Sequence, residues 1–268
     1  MSLPTIELLI CTIGERIERV PSILLEPTEG ISYLVSHQHV NYMHCPPILS
    51  ARNDVKIFHI DGRGLCANRN NAISHASADL LVISDDDVRV SLKALTRLRN
   101  IAKENPQTDI FSFITNTIEG KPLHYYPTKS FIYPDIPKGF YYNSTDLVLR
   151  RNANIPSFDT RFGLGSERLE MGEEDIFIYD CHKRNLRIEF FPETLQTVLS
   201  PITTSSAYAN RASLQESKGA VLTIIYGLFG ASLRIFYTAL LFRKTIPPLT
   251  HLKNMFNGMT YIMKHKRK

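Results

Sequence analysis

The 268-residue chain is long enough for one large domain or a domain with an appendage, and at 43% hydrophobic and 21% charged residues it is not a disordered chain. Its net charge of +5 is mild and gathers in the closing "KHKRK"; a nucleic-acid binder would spread basic residues over a working face, so the expected partner of that end is an anionic membrane surface and not nucleic acid. Four scattered cysteines (Cys11, Cys45, Cys66, Cys181) form no CxxC pair, and the opening "MSLPTIELLICTIGER" has no basic leader and is interrupted by Glu7, so no zinc site, disulfide framework or signal peptide is expected, and the compartment is read as reducing and cytoplasmic.

In chain order, "TIELLICTI" predicts a buried first strand, and "GERIERV" a loop after it. Ile31 to Ser36 and "DVKIFHI" predict two further strands. "LCANRNNAISHASA" has helical spacing, with Leu65, Ala72, Ile73 and Ala76 on one face. "DLLVIS" predicts a fourth strand. "SLKALTRLRNIAKEN" predicts an amphipathic helix with Leu92, Leu95, Leu98 and Ile101 inward and Pro106 beyond its end. "DIFSFIT" predicts a fifth strand. The segment "GKPLHYYPTKSFIYPDIPKGFYYNSTD" reads as loops and short edge strands, a helix starts near Gly172, and "LRIEFFPE" is a last strand. Strands alternating with helices predict an α/β fold, a mostly parallel sheet flanked by helices.

The fourth strand runs straight into Asp85, Asp86 and Asp87. Ligands of open α/β sheets sit beyond the carboxyl ends of the strands. Three adjacent carboxylates repel one another and are costly when buried unpaired. A divalent cation relieves that repulsion, and Mg²⁺ or Mn²⁺ takes one or two carboxylates plus substrate phosphates. The site therefore looks built for a metal-bound diphosphate, with Asp85 and Asp87 turned to the ligand and Asp86 elsewhere. The bland alternative is an acidic cap for the helix starting at Ser91.

"GLCANRNNAISHASADLLVISDDDV" resembles the core of family-2 glycosyltransferases with the GT-A fold, in which a Gly-x-x-x-x-Arg-Asn segment opens a helix leading to a strand that ends in Asp-x-Asp. "FDTRFGLGSERLEMGEEDIFI" resembles the acceptor-side segment of that family, and "STDLVLRRNANI" its linking strand. The resemblance covers about Ile6 to Ser205. It implies a GT-A catalytic domain over 1–205, of the bacterial surface-polysaccharide type, and an inverting, metal-dependent transfer of sugar from a nucleotide-sugar donor, a UDP-sugar before others, to a glycan or polyprenyl-linked acceptor.

The same resemblance implies roles. Asp87, with Asp85, contacts Mn²⁺ or Mg²⁺, with the ribose as an alternative partner for Asp85. Thr12, Gly14, Glu15, Ser36, Gln38, Arg69, Asn70, Asp85 and Asp86 make up the donor-binding set. Asp175 matches the catalytic base, with Glu174 as second choice for base or as acceptor ligand; Glu173 to Asp175 could equally serve a helix N-terminus. Two departures stand out. "SHQH" replaces the aspartate that often holds the base, and Ser200 stands near the point where many relatives carry a metal-ligating histidine. His37, His39, His44, His59 and His75 read as structural or surface residues.

From about Ala220 the chain turns almost wholly apolar, "GAVLTIIYGLFGASLRIFYTALLF", broken by Arg234. A spanning helix needs about 20 apolar residues, and a central arginine is costly there. Residues 206–268 are read as a helical, membrane-associating segment, lying on the inner face of the cell membrane or packed on the catalytic domain. Two competing functions are a nucleotidyltransferase, disfavoured by the single glycine in "CTIGERIER", and a degenerate sugar-nucleotide-binding scaffold.

Overall fold

The structure, a computed structural model, describes residues 3–39, 41–42, 44–151, 153–200, 207–265 and 267. The chain divides into two compact units. The first comprises 1–63, 67–157 and 180–201, the second 64–66, 158–179 and 202–268. The boundary drawn from the sequence between 205 and 206 lies outside the described residues.

The first unit holds the sheet. Its strands are β1 (Ile6–Ile13), β2 (Ile31–Gln38), β3 (Val55–Ile60), β4 (Leu80–Asp85), β5 (Val88–Val90), β6 (Ile110–Thr117), β7 (Phe131–Ile132), β8 (Leu147–Arg150) and β9 (Ile188–Val198). They lie in the order β3-β2-β1-β4-β8-β6-β9-β5, with β7 also on β9. The long ladders, β1 with β2 and β4, β2 with β3, and β6 with β9, are parallel. The ladders made by β8, β5 and β7 are short and antiparallel. The fold is α/β with a mixed sheet whose parallel part matches the expected frame. β1 has β2 on one side and β4 on the other, so the strand order reverses between β1 and β4, the place where such sheets open a crevice for ligands.

Buried strands explain themselves: Ile6, Leu8 and Ile10 of β1 and Leu80 and Val82 of β4 join one core with Leu95, Leu98 and Ile101 of α3 (Leu92–Glu104). Ser91 caps α3, its Oγ accepting from the Ala94 amide at 3.1 Å. Leu92, expected inward, opens the helix and is 47% exposed, while Ala102 in the last turn joins the buried stripe.

The expected loop after β1 is a 3-10 helix, Gly14–Ile23. Its buried residues Ile17, Val20 and Ile23 recur every third position, the period of that helix. Helix α2 (Leu65–His75) buries Cys66, Asn68, Arg69 and Ala72, where Leu65, Ala72, Ile73 and Ala76 were expected to share the inner face. Half of its buried residues are polar, so apolar spacing misplaces it.

In the second unit, Glu173–Lys183 forms α4, whose last four residues belong to the first unit. Ala212–Leu241 forms α5 and Pro248–Lys264 forms α6. The start of α5 packs Ala220 and Val221 against Phe162, Leu169 and Ile176. Its later part packs Ala231, Ile235 and Ala239 on Met255 and Met259 of α6. A side-chain carbon on Gly219 would overlap the Met255 carbonyl, and one on Gly258 would overlap the Glu216 carbonyl, so the two helices meet backbone to backbone.

Candidate active site

The strand ends in the crevice carry most of the expected donor-binding residues. Cys11 of β1 pairs with Asp85 of β4, which puts Thr12 and the Asp85–Asp87 turn side by side. Asp86 turns inward and is 2% exposed. Its Oδ2 accepts from the Thr12 hydroxyl at 2.7 Å, and its Oδ1 accepts from Arg16 Nε at 2.9 Å and from the Arg16 Nη2 group as well. Burial still holds Asp86 above the usual carboxylate range against those bonds. Counted with the donor-binding set from the sequence, Asp86 is engaged by the protein itself, because alternate residues of a strand end face opposite ways.

Asp85 and Asp87 remain part-exposed. Burial pushes the Asp85 carboxyl up to about 6, opposed by the Arg69 guanidinium and reinforced by Asp87 and Asp86. Asp87 has Arg16 Nη2 at 3.7 Å, so one guanidinium spans two of the three aspartates. Arg16 was missed in the sequence. Its signal was the need of three carboxylates for a cation and an arginine in the first turn of the helix after β1.

Among the described residues no three His, Cys, Asp or Glu side chains are grouped to hold an ion. Two hard carboxylates, one of them lifted by burial, suit an ion whose remaining ligands are phosphate oxygens. The residues present fit such an ion and do not form a cage of their own.

Around the turn, Asn68 Nδ2 donates to the Thr12 carbonyl at 3.0 Å and Asn71 Nδ2 to Ser36 Oγ at 2.8 Å, so α2 ties down the ends of β1 and β2. Arg69 is buried and donates through Nη2 to Ser144 Oγ at 2.5 Å. Ser144 starts a 3-10 turn, Ser144–Asp146, closed by a capping box with Asn143. Asp146 is fully buried; it accepts from Tyr126 Oη at 2.8 Å and faces His124 Nε2 at 3.1 Å. The other nitrogen of His124 faces the Tyr125 carbonyl at 3.0 Å. His124 thus bridges Asp146 and the Tyr125 carbonyl and anchors the loop under Arg69. This network was not read from the sequence, since its members are 22 residues apart.

At the ends of β1 and β2, Gly14 takes φ +53° and its carbonyl lies 3.0 Å from His37 Nε2. His37 Nδ1 faces His59 Nδ1 at 3.3 Å, and burial lowers the His37 pKa. Gln38 is buried at the end of β2, and Glu15 is exposed.

In the second unit, Glu173, Glu174 and Asp175 open α4. Glu173 is buried, with Gly163 so close that a side-chain carbon there would stand 3.1 Å from its carboxylate. Glu174 and Asp175 are part-exposed. Asp159 is held below the ordinary carboxylate range against its own burial by Arg161, whose Nε donates to it at 2.9 Å.

Residues 44–165 match the family described as glycosyl transferase family 2. That match spans 122 of the 268 residues, a little under half of the chain. The matched stretch contains α2, the Asp85–Asp87 turn and the Ser144–Asp146 turn. Among solved structures, the chain is similar to residues 1–349 of S. aureus TarS, with a TM-score of 0.59 at 11% identity over 98% of this chain and 93% of that one. A longer S. aureus TarS structure gives 0.56 at 14% identity, over 89% of this chain and 43% of that one. These likenesses are of fold. The chain spans less than half of the longer TarS structure. No curated protein matches it in sequence.

Proposed function

We propose that this glycosyltransferase moves a sugar, with inversion at the anomeric carbon, from a nucleotide-sugar donor to a hydroxyl of a glycan or polyprenyl-linked acceptor, in surface-polysaccharide synthesis at the cytoplasmic face of the membrane. A UDP-sugar is the first donor to try. The observation that carries the reading is the turn after β4, where Thr12 and Arg16 hydrogen-bond Asp86, Arg16 also faces Asp87 at 3.7 Å, and Asp85 and Asp87 stay part-exposed at the switch point of the sheet.

In this reading Asp85 and Asp87 hold Mn²⁺ or Mg²⁺. When bound, that ion supplies Lewis-acid stabilisation of the diphosphate leaving group. Thr12, Gly14, Glu15, Ser36, Gln38, Arg69 and Asn70 shape the donor side, with Arg69 fixed by Ser144. Asp175 takes the proton of the acceptor hydroxyl as that oxygen bonds to the anomeric carbon. The bond from that carbon to the diphosphate breaks, and the nucleoside diphosphate leaves with the electron pair. General-base help of this kind is worth about 10²–10⁴-fold. Glu174 orients the acceptor.

A thermal-shift panel of UDP-, GDP-, dTDP- and CMP-sugars with Mn²⁺, Mg²⁺ or EDTA tests it, since a ligand bound only by the native state raises Tm. The expected result is stabilisation by one nucleotide class that disappears with EDTA and in Asp87→Ala. No shift with any donor, in protein shown to be folded, would overturn the donor site.

A further inference from the structure

Charge along the chain is sharply divided. Residues 217–268 contain nine lysines and arginines and not one aspartate or glutamate, so the first 216 residues carry a net −4 within a chain of net +5. The basic segment is also where the largest apolar side chains stand in water.

Helix α5 is long and apolar enough to cross a membrane by length and composition, but its two halves differ. Up to Thr223 it is built into the second unit, with Leu214, Gly219, Ala220, Val221 and Leu222 buried. At Gly227 the backbone leaves the helical region, with φ 67° and ψ 177°. From Leu228 to Leu241 only the stripe Ala231, Ile235 and Ala239 is buried, against α6. The opposite side shows Phe229 at 80% exposure, with Leu233, Phe236, Tyr237, Leu240 and Leu241 exposed beside it.

At 1.5 Å per residue the half after the break reaches only about 20 Å, short of the roughly 30 Å hydrocarbon core of a bilayer. A spanning helix also cannot leave one half inside a protein core. Arg234 folds back along the helix, its guanidinium 3.6 Å from the centre of the Tyr226 ring and Nη1 donating to the Gly230 carbonyl at 3.2 Å. It is thereby drawn toward the break at Gly227. Exposed Arg243 and Lys244 follow the end of the helix.

We infer that Leu228–Leu241 lies flat in the headgroup region of an anionic lipid bilayer, with Phe229, Leu233, Phe236, Tyr237 and Leu240 among the acyl chains and Arg243 and Lys244 on the lipid phosphates. A second copy of the chain is the poorer occupant, because it would bring two segments of the same strong positive charge together, whereas anionic lipid supplies the missing negative charge. The amphipathic half-helix with a basic flank is the ordinary form of such an anchor.

Co-sedimentation of the full chain with vesicles tests this directly. Vesicles of phosphatidylcholine with phosphatidylglycerol should bind it, and pure phosphatidylcholine about tenfold less. Binding should weaken as salt rises. Phe229→Asp with Leu233→Asp should lower binding at least about tenfold, and Arg243→Glu with Lys244→Glu should lower it and flatten its salt dependence. All four side chains are exposed, so circular dichroism and Tm of the variants should match the parent. Equal binding by parent and variants, or none to anionic vesicles by folded protein, would overturn the inference. So would a dimer, seen by analytical ultracentrifugation, that Phe229→Asp dissolves while vesicles stay unbound. Vesicle binding needs no turnover, so its failure leaves the transferase reading standing, and loss of activity alone leaves the membrane face standing.

Discussion

The two acidic runs, Asp85–Asp87 and Glu173–Asp175, solve the same problem differently. Each turns one carboxylate inward, Asp86 and Glu173, and leaves two part-exposed. At the strand end no backbone dipole favours negative charge, so Asp86 has to be met by a guanidinium and a hydroxyl, and Asp85 is driven up to about 6 by burial. At the start of α4 the acids stand where the unbonded amides of a helix favour anions. The first run is poised to gain from a bound cation, and the second has helix amides to meet its charge.

Breaking that contrast gives the largest effects. Asp87→Ala should abolish metal-dependent turnover, a fall of at least about 10³-fold in kcat/KM, and the nucleotide-induced rise in Tm with it. Asp175→Asn should lower kcat by about 10²–10⁴-fold while the nucleotide-induced rise in Tm survives. If both variants lost nucleotide binding, the division of labour would be wrong.

Arg16→Met sharpens the contrast from the structural side. It leaves Asp86 buried with Thr12 alone, and chemical denaturation should show a loss of about 1–3 kcal/mol, at the lower end because Arg16 itself is 44% exposed. Glu15, exposed one residue earlier, should cost almost nothing when changed to Gln.

The smallest effect is one of pH. The Asp85 carboxyl sits near 6 in the folded chain against 3.8 for an ordinary aspartate. Above both values it is ionised in folded and unfolded chains, and only the folded chain bears the burial cost. Below both it is neutral everywhere and the cost is gone. Asp85→Asn should therefore be more stable than the parent in EDTA at pH 8, and the gap in Tm should close as pH falls through 6 toward 4. A gap that stays constant across that range would mean burial does not set the charge of Asp85.

Much of this was legible from the sequence where one physical signal dominated. Apolar runs marked β1 to β4, and the stripe Leu95, Leu98 and Ile101 marked α3. The Asp85–Asp87 turn was visible because three charges at the end of a buried strand contradict the strand. Strand β5 was missed because Val88–Val90 offers only three residues, and its reason for being a strand is β9, more than a hundred residues on. The end of β9 was cut short because Pro192 and Glu193 interrupt its apolar run. The partners of Asp86 and Arg69 were illegible for the same reason, since Arg16 and Ser144 stand 70 and 75 residues away. Sequence spacing reports periodic burial, not pairings made by the folded chain.

The backbone contact between α5 and α6 inverts the usual hierarchy of tolerance. In most helical pairs the bulky interface residues are the irreplaceable ones. Here a scan of all substitutions along the hairpin should find its least permissive positions at two of its glycines, Gly219 and Gly258, where even alanine meets a carbonyl. Its most permissive, as far as folding goes, should include Phe229, the most exposed aromatic side chain in the hairpin.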